Sequence, residues 1–154
     1  MARIGQTVII RSDKDSHFTT AIAAGAMETE SIDFPQEWKD NRIREVVIEG
    51  ISIQSEDNLA WDIGIWTTDG FDNTDVDVDS FLDYVSFSQA TGKQVGGAGQ
   101  YYYASPDLTI HYVDEDNTEE FHIALINRDG AVAKTAGATG EVSVIITARP
   151  VIGG

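Results

Sequence analysis

Residues 45–68 read "EVVIEGISIQSEDNLAWDIGIWTT", and the spacing of their apolar side chains decides the fold class. Val46 and Ile48 share one face of an extended strand. Ile51 and Ile53 have the opposite parity, and the phase changes at Gly50, where a β-bulge would reverse the faces. Beyond "SEDN", Leu59, Trp61, Ile63 and Ile65 alternate onto one face. Two such strands joined by a short turn read as a β-hairpin.

The same period of two runs through the rest of the chain. Residues 7–12 form a short apolar strand. Residues 18–27, "FTTAIAAGAM", are extended but rich in small side chains. Residues 30–38 carry acids early and then Pro35, which predicts a loop with a helical turn. Residues 81–88 leave strand and helix both open, because Phe81, Tyr84, Val85 and Phe87 do not settle the period. Residues 101–104 and 108–113 are strands meeting at the turn signal "SPD". Phe121, Ile123 and Leu125 face inward from one later strand, and Val142, Val144 and Ile146 from the last. Roughly eight or nine strands with turn chemistry between them predict an all-β protein, an antiparallel two-sheet β-sandwich of the jelly-roll type.

A chain of 154 residues fits a single domain that needs neither metal nor disulfide to fold. Within it, residues 1–28 are expected to form an N-terminal arm and first strands that reach a neighbouring subunit, and residues 29–154 the sandwich. There is no cysteine, which suits synthesis in a reducing cytoplasm. The N-terminus begins with Met and lacks a signal-peptide core, so the chain reads as a whole, unprocessed product. The formal net charge is −16 and the pI about 4.2. Such acidity repels phosphate backbones and anionic membranes, so neither nucleic acid nor membrane is an expected partner.

Several stretches invite a chemical reading. Asp75, Asp77 and Asp79 alternate, so an extended backbone points all three carboxylates one way, as a hard cation would require. Against the EF-hand spacing, however, Ser80 stands where Gly is needed and Ser86 where Glu is needed, so the three remain weak metal candidates beside a plain solvated loop. His111 and His122 are expected on the outward face of adjacent strands, as surface or interface residues. Residues 92–100, "GKQVGGAGQ", fail the phosphate-loop pattern because Phe87 occupies the position of its first glycine. No nucleophile elbow or catalytic signature is found, so the expectation is a protein without enzymatic activity or cofactor.

Contact surfaces remain. Tyr101 and Tyr103 share a strand face, and tyrosine suits both protein interfaces and sugar stacking. With Trp61 and Trp66 they keep a carbohydrate-binding module open as an alternative. The arm offers Ile4, Val8 and Ile10. The most unusual segment is "GAVAKTAGATG", residues 130–140: eleven residues between two core strands, almost all small, with Lys134 the sole charge. A solvated loop favours Ser, Asp, Asn and Lys instead. Ala131, Ala133, Lys134, Ala136 and Ala138 are therefore read as a flat surface laid on something, either the chain's own sandwich or a neighbouring subunit.

The run "FHIALINRDGAVAKTAGATGEVSVIITARP" resembles the C-terminal segment of small structural proteins of tailed bacteriophages. There, a strand ending Leu-x-Asn-Arg leads into an Ala-Lys-x-Ala-Gly-Ala-x-Gly-Glu loop and a final strand. "GKQVGGAGQYYY", "LTIHYVDED", "IDFP" and "NLAWDIGIW" look similar to the same group. The resemblance touches residues 32–150 and is most distinctive over 125–144. It implies a jelly-roll virion component: a capsid decoration (cement) protein, or a tail, collar or fibre attachment. It also implies a homotrimer bound to the major capsid protein on the outer surface of the head.

Overall fold

The computed structural model describes residues 5–69, 79–95 and 99–152. Ten strands are found among them: β1 (Val8–Arg11), β2 (Met27–Asp33), β3 (Glu45–Ser55), β4 (Trp61–Trp66), β5 (Phe81–Phe87), β6 (Lys93–Gln94), β7 (Tyr101–Ser105), β8 (Ile110–Val113), β9 (Glu120–Asn127) and β10 (Val142–Pro150). One short helix, α1 (Gln36–Asp40), joins β2 to β3. No helix among the described residues is long and apolar enough to cross a membrane.

Two antiparallel sheets result. The six-stranded one runs β1-β10-β3-β7-β6, with β8 also on β3; the four-stranded one runs β2-β9-β4-β5. The pairings β1 with β10, β2 with β9, β3 with β7 and β8, and β4 with β5 nest one inside another. They describe one long hairpin rolled over itself, which is the jelly roll.

The bulge appears where the sequence places it. The β10–β3 register pairs Thr147 with Gly50 and Ala148 with Ile48, which leaves Glu49 unmatched. That extra residue lets Val46, Ile48, Ile51 and Ile53 all reach the core, each at most 2% exposed. Opposite the bulge, β7 and β8 lie end to end along β3, interrupted at residues 106–109.

The expected hairpin over residues 43–67 does not form. β3 belongs to the six-stranded sheet and β4 to the four-stranded one, so residues 56–60 cross between sheets. Local alternation is the same for a hairpin and for a crossover, because both strands must present an apolar face to the one core. Residues 81–87 settle as a strand. Residues 18–26, expected to be extended, are not a strand, and the isolated bridge there is Ile22 with Lys134; Met27 opens β2. Of the expected loop over 30–38, residues 30–33 belong to strand β2, and the helical turn starts after Pro35.

The described part of the expected arm belongs to the sandwich itself. From residue 5 onward, β1 pairs with β10 of its own chain, and Phe18 and Ile22 enter the core at 1% and 2% exposure. Ile4 lies outside the described residues.

One end of the sandwich is closed by rings. Phe34, Trp38, Tyr112 and Phe121 stack edge-on or tilted, with Phe34 to Phe121 centroids 4.9 Å apart and Phe34 to Trp38 5.4 Å. Tyr112 donates its hydroxyl to the Glu120 carbonyl at 2.7 Å, and burial pushes its phenol far up from the ordinary range.

Candidate functional site

The opposite end of the sandwich is closed by loops, and here the small-residue stretch finds its place. Residues 128–141 link β9 to β10 and lie against the β1–β2 loop. Ile22 and Lys134 exchange backbone hydrogen bonds at 3.3 and 2.8 Å, and the Gly137 amide donates to the Thr19 carbonyl at 3.0 Å. The Thr135 amide donates to Asp57 Oδ2 at 3.0 Å, tying the loop to the β3–β4 crossover. At Gly140 an added Cβ would meet the Thr135 carbonyl oxygen at 1.9 Å, so only glycine allows this backbone approach.

Two polar side chains hold the loop from beneath. Asn127 is fully buried and donates to the carbonyls of Ile22 and Val132, while its own oxygen accepts from the Asp129 amide. Lys134 is also fully buried. Its ammonium donates to the carbonyls of Thr20 at 2.9 Å and Thr135 at 3.0 Å. Burial holds the amine below its ordinary range, opposed by the charges of Glu28 and Asp57. Asp129 caps the turn by accepting from the amides of Ala131 and Val132, which holds its carboxyl below the usual range.

With Lys134 drawn inside, the exposed residues within 20–24 and 131–138 carry no charge, while Asp13, Lys14, Asp15 and Arg128 stand exposed elsewhere on the same two loops. Thr20, Ala21, Ala23 and Ala24 are exposed on one loop. Ala131, Val132, Ala133, Ala136 and Ala138 are exposed on the other, Val132 at 53%. The expected contact residues thus divide. Ala131, Ala133, Ala136 and Ala138 stand together on the surface, and the loop rests on its own sandwich. Lys134 is an internal anchor and contributes no surface.

The other contact candidates are redistributed as well. Ile10 is 7% exposed and Tyr103 is at 0%, so neither presents area to a partner; Val8 and Tyr101 are half-buried against the core. Tyr103 donates to Asn58 Oδ1 at 2.8 Å, and its phenol is pushed up to about 12 by burial. On that strand it is Tyr102, at 40%, that faces solvent. Trp61 is core at 0%, as its strand face predicts. Trp66 does lie on the opposite face but folds back over Gly64, where a Cβ would sit 2.6 Å from its ring, and is only 3% exposed.

The histidine expectation holds for His111, which is exposed, and fails for the pairing of the two and for the exposure of His122. His111 is on β8 and His122 on β9, in different sheets, and His122 is wholly buried. Its ring meets Ser31 Oγ at 2.9 Å and Thr118 Oγ1 at 3.0 Å, and burial lowers its basicity against the pull of Asp69, Asp114 and Asp116. It is enclosed because Ser31, Thr118 and the acidic turn fold over the outer face of β9, which alternation alone cannot foresee. Asp75 and Asp77 lie outside the described residues, and Asp79 is exposed. No group of three or more His, Asp or Glu able to hold a metal occurs among the described residues.

A shallow depression of about 220 Å³ opens among Lys14, Gln54, Glu56, Gln100 and Glu141. Lys14 there is already engaged by Asp15 at 3.0 Å and Glu141 at 3.7 Å. Neither a protein-family model nor a curated protein matches the chain.

Proposed function

We propose that the chain is a structural component of a tailed-phage virion: a decoration protein that forms a homotrimer, binds the major capsid protein on the outside of the head and stabilises the shell by protein–protein contact. The observation that carries this reading is the pair of exposed, uncharged, small-residue runs within 20–24 and 131–138 on a chain of net charge −16. Copies so acidic repel one another, and protein can approach closely only where carboxylates are withdrawn. A flat surface of Ala, Thr and Gly lets a partner backbone come near. A standard interface of about 1,600 Å² per contact would suffice. Acidity favours the outside of a shell over a nucleic-acid-facing interior.

The jelly roll hosts both capsid and lectin domains, so the architecture by itself leaves the two apart only by their sites. The carbohydrate-binding alternative has less support, since Trp61, Trp66 and Tyr103 are buried and offer no stacking platform.

Gold-labelled antibody against the chain, applied to purified particles of the phage that encodes it, tests the reading. Label over the whole head surface is expected. Label confined to the tail, collar or fibres moves the site of attachment, and particles without label overturn the proposal.

A further inference from the structure

β2 breaks the rule that core-facing positions are apolar. Its register pairs Glu28 with Leu125, Glu30 with Ile123 and Ile32 with Phe121, so both glutamates share the inward face with Ile32. They stand two residues apart on one strand, and the Glu30 side chain is only 24% exposed. Two carboxylates so placed repel each other, and their partial burial leaves less water to screen them.

Each is tied to the β1–β2 loop. Glu28 Oε1 accepts from the Thr20 amide at 3.2 Å and from the Thr20 hydroxyl. Glu30 Oε2 lies 4.0 Å from His17 Nε2, and His17 Nδ1 accepts from the Asp13 amide at 2.9 Å, which leaves the proton of the neutral ring on the nitrogen that faces Glu30. The Thr20 carbonyl in turn receives Lys134. The charged and titratable groups around the pair are thus Glu28 and Glu30 on β2, His17 with Asp13 behind it on the β1–β2 loop, and Lys134 on the β9–β10 loop. β9 places Ile123 and Leu125 beside them.

We propose that Glu28 and Glu30 form a proton-operated latch, which fastens the β1–β2 loop, and through it the small-residue loop, to the sandwich when the pair holds a proton. The protonated Glu30 shares its hydrogen with Glu28, while Glu28 keeps the Thr20 amide and hydroxyl. Loss of that proton sets two carboxylates side by side, and the relief open to them is movement of the loop that covers them.

The direction in pH follows from linkage. Burial, with Glu28 adjacent, raises the Glu30 carboxyl from 4.5 to about 7 in the closed form. A group raised in the closed state stabilises it fully below the open-state value and loses that stabilisation as pH rises through the closed-state value. The latch is therefore fastened in acid, loosens between about pH 4.5 and 7, and is indifferent to pH above that. The latch bears on the loops that form the proposed contact surface, but it is tested on the isolated chain, so its failure and that of the virion reading are distinguishable.

The experiment is a carbon-13 titration of the Glu30 carboxyl, together with amide exchange at Ile22 and Lys134 from pH 5 to 8, corrected for intrinsic rates. The expected midpoint is near 7. Protection of the two amides should fall by up to about tenfold per pH unit below that midpoint and then level. In Glu30→Gln, which mimics the protonated side chain, protection should stay high and flat; in His17→Gln the wild-type profile should persist. A Glu30 midpoint near 4.5, an unchanged profile in Glu30→Gln, or its disappearance in His17→Gln overturns the latch. Should Glu30→Gln not fold, the wild-type titration alone decides.

Discussion

The two ends of this sandwich solve one problem in opposite ways. Each must cover the core where the strands run out. At the α1 end the cover is Phe34, Trp38, Tyr112 and Phe121, large rings that exclude water by volume and meet in tilted and edge-on contacts. At the loop end the cover is backbone, held down by hydrogen bonds to Thr19, Ile22 and Asp57 and by the buried side chains of Asn127 and Lys134. Rings close an end and leave little to offer outward. A hydrogen-bonded backbone closes it while leaving small side chains, such as Ala131, Ala133, Ala136 and Ala138, exposed on its outer face. Under the proposed function, the first end supplies stability and the second supplies contact.

The contrast can be broken most forcefully at the ringed end. Trp38→Ala should cost about 3–5 kcal/mol in urea unfolding, because a wholly buried indole leaves a cavity beside the rings of Phe34 and Phe121. A loss below about 1 kcal/mol would show that the rings do not carry the stability assigned to them. At the loop end, Lys134→Ala should cost less, about 2–3 kcal/mol, from two carbonyls left unpaired. If the lysine matters more than the tryptophan, the assignment of roles is inverted.

A smaller effect of opposite sign is expected at α1. Arg42 follows the helix with φ of 55°, and Ile43 and Arg42 donate back to the carbonyls of Trp38 and Lys39. This is the Schellman arrangement, whose left-handed position favours glycine. Arg42→Gly should therefore stabilise the chain by about 1 kcal/mol in the same unfolding measurement. The smallest change in stability is expected on the outer face of the loop end, where Ala136→Asp should stay within about 0.5 kcal/mol of wild type.

Much of the architecture was legible because burial on one face of a strand leaves a period of two. β1, β3, β4, β9 and β10 follow it, and Gly50 marks the phase change that the bulge at Glu49 produces. What alternation cannot encode is the partner of each strand, so the link between β3 and β4 read as a hairpin although it crosses between sheets. β2 was hidden because Glu28 and Glu30 occupy inward positions and leave no apolar alternation to see. At the candidate site, the small side chains of residues 130–140 were visible as a flat surface. The burial of Lys134 was not, since a lysine amid alanines looks like a solubilising charge until backbone carbonyls converge on it. The single weak hint was that no other polar side chain except threonine accompanied it.

The central claim is that the loop end exists to touch other protein, and sedimentation velocity on wild type and Ala136→Asp tests it most directly. Wild type should sediment as a trimer and the variant as a monomer, with the same unfolding midpoint. A wild-type monomer, or a variant that assembles as wild type does, would contradict it.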